Sequence, residues 1–205
     1  MPMSTLLPVD VRFTARTLVL DPPMTDAEFE ELCRANDNVQ IERTREGVIH
    51  MNPPAGGMSS RSNFEISRQL GAWWIVHERG EVFDSSGGFY LPDGSMLSPD
   101  AAYVLPETLK GLTEEDLTGF PRLCPDFVIE LLSASDNLTA TKVKMQRWVE
   151  NGAKLAWLVD PYGRKVYVYS PGVAPLTVSD SIVRGTGPVE GFVLDLTRVW
   201  RGFRV

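Results

Sequence analysis

One carboxylate stands inside a segment that is otherwise entirely apolar. Glu130 lies in the run 127–132, FVIELL, and a run of this kind is typical of a central strand buried on both faces. Burying an ionised carboxylate is costly unless a cation, a hydrogen-bond network or a metal compensates for the lost hydration. The sequence therefore predicts a partner for Glu130, and a single salt bridge to a helix lysine is the simplest form of it.

Two further groups are candidate partners of Glu130. Asp100 follows Pro99 at the start of a predicted strand, and Lys144 lies on the helix predicted after the Glu130 strand. Carboxylates from adjacent strands are ligands that Mg²⁺ prefers, and a nearby lysine stabilises charge that develops on a phosphate. A bound metal acidifies water and polarises the phosphate, so the set favours phosphodiester hydrolysis. The spacing alone is a weak indication, because a second Pro-Asp pair stands at 125–126.

The elements that must position these groups follow from hydrophobic periodicity and from turn residues. A strand, a helix and a second strand over 126–159 sit among hairpins, which predicts an α/β (mixed α+β) fold with a mixed sheet flanked by helices. The helix over 60–78 has Phe64, Leu70, Trp73 and Trp74 among its core candidates, and 106–122 reads as an acidic, loop-like insertion. Helices are predicted over 25–36, 60–78 and 137–151, and strands over 39–42, 48–51, 81–83, 98–104 (the return arm of a hairpin beginning at Gly87), 126–132, 155–159, 165–169 and 191–196.

Composition limits the function classes. The 205 residues carry a net charge of −7, which argues against a broadly basic protein that coats nucleic acid. Two cysteines and two histidines exclude a disulfide scaffold and a three-histidine zinc site. No apolar run approaches a membrane span, and the N-terminus lacks the pattern of a signal peptide. We expect a reduced, cytoplasmic protein with an N-terminal arm over 1–24 and a single domain over 25–205.

Several motifs stand in a fixed order between about residue 39 and the C-terminus. They are PPAGG over 53–57, FDSSGGF over 83–89, LPDG over 91–94, SPDA over 98–101, CPDFVIELLSASD over 124–136, KMQRW over 144–148 and NGAKLAWLVDP over 151–161. In these motifs the chain resembles the Uma2 family of endonucleases, and the forms abundant in cyanobacteria most of all. That family is similar to the PD-(D/E)XK nuclease superfamily, so the resemblance implies a restriction-endonuclease-like core.

The resemblance also implies roles for particular residues. Asp100 matches the motif aspartate and Glu130 the motif glutamate, both as metal ligands, whereas Leu132 stands where the superfamily usually has a lysine. The following helix offers Lys144 in its place, with Lys142 as the fallback. Glu65, on the early helix, matches the additional acidic residue that many members place near the metal. The implied cofactor is Mg²⁺, with Mn²⁺ as a substitute.

Three other polar residues have alternative interpretations. Asp126 shares a strand face with Glu130, so it is either an additional carboxylate of the site or, as we favour, a cap that binds nearby amides. Glu42 on the first strand is expected to be exposed rather than part of the site. Gln146 is expected to face away from Lys144, because two helical positions are about 200° apart.

The first functional hypothesis is a Mg²⁺-dependent DNA endonuclease that acts through Asp100, Glu130, Lys144 and Glu65. DNA would then be the partner, without a membrane, and a symmetric homodimer would present two sites to a duplex. The alternative is a catalytically inactive nuclease-fold module for binding or assembly, which Leu132 and the negative charge favour. A third hypothesis is a metal-dependent hydrolase of another phosphate ester.

Overall fold

The computed structural model describes residues 17–203, so residues 1–16 of the predicted arm lie outside the described part of the chain. Helices predicted from capping residues and periodicity occur near their expected positions. Thr25 and Glu28 form the predicted capping box of the first helix, and Asn137 caps the helix that carries Lys144. The helices are α1 (Asp26–Ala35), α2 (Gly57–His77), α3 (Pro106–Leu109), α4 (Glu114–Thr118), α5 (Leu138–Glu150) and α6 (Leu196–Val199).

The strands form a six-stranded, a five-stranded and a two-stranded sheet within residues 17–203. The six-stranded sheet has the order β11-β10-β9-β8-β7-β4, the five-stranded sheet has the order β1-β3-β2-β6-β5, and β12 pairs with β13. The strands are β1 (Thr17–Leu18), β2 (Gln40–Arg43), β3 (Ile49–Asn52), β4 (Glu81–Asp84), β5 (Phe89–Tyr90), β6 (Met96–Leu97), β7 (Ala101–Val104), β8 (Phe127–Leu131), β9 (Leu155–Asp160), β10 (Lys165–Tyr169), β11 (Leu176–Val178), β12 (Ile182–Arg184) and β13 (Val193–Asp195).

The six-stranded sheet confirms the predicted fold class. Its strands β8 and β9 are parallel and joined by α5, whereas its other neighbours are antiparallel, so the sheet is mixed. Every residue of β8 and β9 is buried, as expected of strands covered on both faces. Ile66 and Leu70 of α2 pack in the cluster on one face, and Met145 and Trp148 of α5 pack in the cluster on the other.

Two local predictions are wrong. The hairpin that begins at Gly87 returns through β6, and 98–104 instead leads into the six-stranded sheet, where β7 pairs with β4 and β8. The main-chain N–H of Ser98 donates to the Glu42 carboxylate, and Pro99 has no N–H, so neither residue donates a hydrogen bond to the main chain of a neighbouring strand. The chain therefore changes sheets at this point. Phe64 is 69% exposed because the buried face of α2 follows Ser62, Ile66 and Leu70 at a spacing of four.

The acidic insertion over 106–122 contains structure of its own. It holds the short helices α3 and α4, and a capping box between Thr113 and Asp116 starts the second of them. None of the helices described for residues 17–203 combines the length and apolar character needed to cross a membrane.

Candidate active site

Asp100 and Glu130 lie on neighbouring strands at one end of the six-stranded sheet. Ala101 pairs with Ile129 in the antiparallel ladder of β7 and β8, so the register carried one residue further sets Asp100 opposite Glu130. Directly opposite residues share a sheet face with their Cβ atoms about 5 Å apart. The main-chain N–H of Leu131 donates to Asp100 Oδ2 over 2.6 Å, which fixes that carboxylate at the strand end.

Lys144 reaches this pair of carboxylates from α5. Its Nζ atom lies 2.7 Å from Glu130 Oε1 and 2.8 Å from Glu42 Oε1, and it donates to the main-chain carbonyl of Ser98 over 3.1 Å. Trp148, one helical turn further along the same face, donates from Nε1 to Glu130 Oε1 over 2.9 Å. The ammonium therefore has an acceptor for each of its three hydrogens.

One oxygen of Glu130 is left over. Within residues 17–203 the hydrogen bonds and ion pairs of Glu130 all fall on Oε1, so Oε2 is available to a ligand. Asp100 Oδ1 accepts one hydrogen bond, from Asn63 Nδ2 on α2 over 2.7 Å, and an ionised carboxylate oxygen has a further lone pair to offer.

Burial and negative charge dominate the electrostatics of the site. Burial, with the nearby charges of Asp100 and Glu42, raises the pKa of Glu130 to about 8 against the opposing effect of Lys144. Burial likewise raises the pKa of Asp100 to about 6. Burial alone would lower the pKa of Lys144, but the carboxylates of Glu130 and Glu42 raise it well above its usual range. Three carboxylates around one ammonium favour additional positive charge.

The structure brings Asp100, Glu130 and Lys144 together, but it directs two other candidates elsewhere. Within the described residues the Glu65 carboxylate is bound by Arg68 and Gln69, and Asn63 is the α2 residue that contacts Asp100. Positions two apart on a helix face different directions, which explains why Glu65 does not accompany Asn63. The Lys142 ammonium lies 4.0 Å from the centre of the Tyr167 ring, so Lys144 rather than Lys142 reaches Glu130.

Sequence reasoning misjudged one residue of the site and passed over another. Glu42, which was expected to be exposed, is 6% exposed because its carboxylate binds Lys144 and the main chain of Ser98. Asn63 had no distinguishing feature within its helix. Asp126 acts as the favoured cap, accepting from the Leu105 N–H over 2.8 Å and pairing with Lys154. Gln146 bonds to Glu150 on the exposed side of α5, as expected.

The carboxylates of this site do not make a complete metal cage. Across the described range, 17–203, no three or more His, Cys, Asp or Glu side chains are grouped closely enough to hold a metal ion. Mg²⁺ commonly takes one or two carboxylates and completes its shell with waters and substrate phosphates. The free Oε2 of Glu130 and the partly used Oδ1 of Asp100 suit that mode of binding.

Comparisons with known proteins agree with the motifs. A model of the Uma2 family, described as "putative restriction endonuclease", matches residues 26–197. The chain is also similar to the crystal structure of a "putative nuclease belonging to DUF820" from Anabaena variabilis, with 17% sequence identity and a TM-score of 0.66, over 80% of this chain and 91% of that chain. No curated protein matches the sequence. The likeness confirms the restriction-endonuclease-like fold.

Proposed function

Because the chain belongs to the Uma2 family, we propose that it is a divalent-metal-dependent nuclease that hydrolyses the phosphodiester bonds of DNA. The observation that carries the proposal is the meeting of Asp100, Glu130 and Lys144, which lie on three separate segments, in one largely buried site. A plain salt bridge would explain Lys144 with Glu130. It would not explain why Asp100 lies opposite Glu130. Nor would it explain why the site holds three carboxylates, when one ammonium neutralises only one of them.

Asp100 and Glu130 are the residues that would hold the ion, which we propose to be Mg²⁺ with Mn²⁺ as a substitute. The buried carboxylates have raised pKa values, and a divalent cation would favour their ionised forms. Such an ion supplies a Lewis acid for the phosphate and lowers the pKa of a water molecule. It also offsets the negative charge that would otherwise repel a DNA phosphate.

Lys144 is suited to stabilising charge rather than to removing a proton. Its pKa is raised by Glu130 and Glu42, so the side chain stays an ammonium at neutral pH. Glu42 and the Ser98 carbonyl hold that ammonium beside Glu130, where its positive charge would stabilise the negative charge that develops on a nearby phosphate during hydrolysis. Glu42 is thus a positioning residue for Lys144.

A second candidate function has one observation in its favour. Each of the three Lys144 hydrogens already has an acceptor within the protein, which also suits a purely structural ion pair. In that case the chain is a nuclease-fold module for binding or assembly, as the negative charge and Leu132 also favour. This module would keep its fold without a divalent ion and would cut nothing.

Plasmid nicking with purified protein tests the proposal. We expect cleavage in Mg²⁺ or Mn²⁺, none in EDTA, and a loss of about 10²-fold or more in Asp100→Asn and in Glu130→Gln. Asp126→Asn is the matched control, because it removes a buried carboxylate from the other end of β8 and should retain cleavage.

The outcomes separate the candidates. An intact plasmid with every metal, from a folded wild-type protein, would favour the inactive module. Cleavage of a simple phosphate ester that duplex DNA does not inhibit would favour the broader phosphoesterase. Cleavage that persists equally in Asp100→Asn would show that the activity does not come from this site. Simultaneous cuts in both strands would support the symmetric dimer.

A further inference from the structure

One buried oxygen beside the carboxylate pair has no partner. Asn63 donates from Nδ2 to Asp100 Oδ1, while its Oδ1 atom is buried without a hydrogen bond. The other buried side-chain atoms without partners in residues 17–203 belong to Trp73, Tyr90 and Trp157, and none of these atoms forms a hydrogen bond with Asp100 or Glu130. Asn63 Oδ1 is therefore an acceptor that lacks a donor or a cation next to the proposed metal ligands.

The orientation of the Asn63 amide follows from its neighbour. Exchanging its oxygen and nitrogen would set a carbonyl oxygen 2.7 Å from an oxygen of Asp100, which repels when that carboxylate is ionised. The two amide heteroatoms share one carbon, so Oδ1 lies within about 5 Å of Asp100 Oδ1. A small rotation of the side chain brings Oδ1 within reach of an ion bound to Asp100.

The position of Asn63 in the fold supports a specific role. The neighbouring Ser62 is held by a hydrogen bond from its hydroxyl to the main-chain carbonyl of Val199 in α6, and Ile66 is fully buried in the core, so this part of α2 is fixed in place. Leaving an amide oxygen buried and unpaired lowers stability, whereas amide oxygens are ordinary ligands of hard cations. We infer that Asn63 Oδ1 is a direct, third protein ligand of the divalent cation held by Asp100 and Glu130. This inference rests on the proposed function.

A change of ligand chemistry tests the assignment without relying on activity. A thiolate prefers soft cations such as Cd²⁺ over Mg²⁺, whereas a hydroxyl oxygen of similar size does not. We expect Asn63→Cys to raise the affinity for Cd²⁺ relative to Mg²⁺ by about tenfold or more over Asn63→Ser, measured by calorimetry. Asn63→Cys should also show the ultraviolet charge-transfer band of a cadmium–thiolate bond.

The background of this measurement is low. Wild type and Asn63→Ser contain the same two native cysteines, and burial raises the pKa of Cys33 to about 11 and that of Cys124 to about 12. A band confined to Asn63→Cys therefore comes from position 63. Should Asn63→Cys not fold, as judged by circular dichroism, Mn²⁺ binding to Asn63→Ala replaces it. A dissociation constant raised about tenfold supports the role, and one within twofold of wild type overturns it.

Failure of the inference differs from failure of the proposed function. If wild type binds Mn²⁺ in a manner that Asp100→Asn abolishes, and folded Asn63→Cys gives no cadmium band, the role of Asn63 is refuted while the metal site survives. If wild type shows no divalent binding that depends on Asp100, both are refuted.

Discussion

The two ends of β8 carry the same kinds of residue in opposite roles. At each end an aspartate that follows a proline accepts a hydrogen bond from the neighbouring strand segment, and a lysine pairs with a buried carboxylate. At the Asp126 end the charges balance, one carboxylate with one ammonium. At the Glu130 end three carboxylates surround one ammonium.

The lysines differ as well. Lys154 remains 53% exposed and reaches Asp126 from the surface, whereas Lys144 is mostly buried between Glu130 and Glu42. A balanced ion pair next to solvent holds strands together at little cost, but buried excess charge lowers stability unless a bound cation compensates for it. The comparison shows that a Pro-Asp motif and a nearby lysine occur at both ends, whereas uncompensated buried charge makes the Glu130 end the candidate site.

Removing each lysine should give the largest contrast between the ends. Lys144→Met leaves Glu130 and Glu42 buried without their cation, so we expect the free energy of unfolding at pH 8 to fall by about 3–5 kcal/mol. Lys154→Met is the matched control and should cost about 0–1 kcal/mol, because its ion pair is exposed on the lysine side. Urea unfolding measures both, and equal losses would contradict the distinction between the ends.

The pH dependence of stability should come from the Glu130 end. The folded-state pKa values of Asp100, about 6, and Glu130, about 8, lie above their ordinary values of 3.8 and 4.5. Glu42, Asp136 and Lys144 are the charged neighbours that act on these carboxylates. The folded state therefore binds more protons between these limits, and its stability is greatest at acid pH and falls as pH rises.

In a chelator, the free energy of unfolding should decline between pH 5 and pH 8 by on the order of 5 kcal/mol, most of it from Glu130. Saturating Mg²⁺ should reduce the decline, because an ion held by ionised carboxylates stabilises the folded state. Asp100→Asn should flatten the profile measured in chelator and Asp126→Asn should not. A wild-type profile that rises with pH over this range would contradict the raised pKa values.

Much of the fold was predictable because the residues that determine its elements lie close together in the sequence. The apolar runs of β8 and β9, the Asn137 cap and Gly152 after α5 define the strand-helix-strand unit within one stretch of chain. Phe64 was not predictable in the same way, since a long helix with a mixed pattern does not say which stripe meets the sheet.

The site was predictable only in part, for a related reason. Asp100, Glu130 and Lys144 were chosen by motif resemblance and by the cost of burying a charge. Glu42 was misjudged because its burial depends on Lys144, which is far away in sequence and approaches from another element. Glu65 is predicted because the resembled superfamily places an acidic residue near the metal, whereas the phase of α2 against β7 decides which side chain meets Asp100, and that side chain is Asn63.

The smallest contrast concerns the two aspartates themselves. Asp126→Asn should lower the free energy of unfolding by about 1–2 kcal/mol, because one amide cannot both accept from the Leu105 N–H and pair with Lys154, and a buried group is left unsatisfied. Asp100→Asn keeps an oxygen for the Leu131 N–H, and its amide nitrogen can donate to the otherwise unpaired Asn63 oxygen once the Asn63 amide turns over. The change also removes a charge that Glu130 opposes, so in chelator at pH 8 stability should stay within about 0.5 kcal/mol of wild type or rise. Thermal unfolding of the two variants beside wild type makes the comparison. If Asp100→Asn were the more destabilised variant, the Asp100 carboxylate would serve to hold the strand end together, as that of Asp126 does. The case for a metal-binding pair at this end of β8 would then fail.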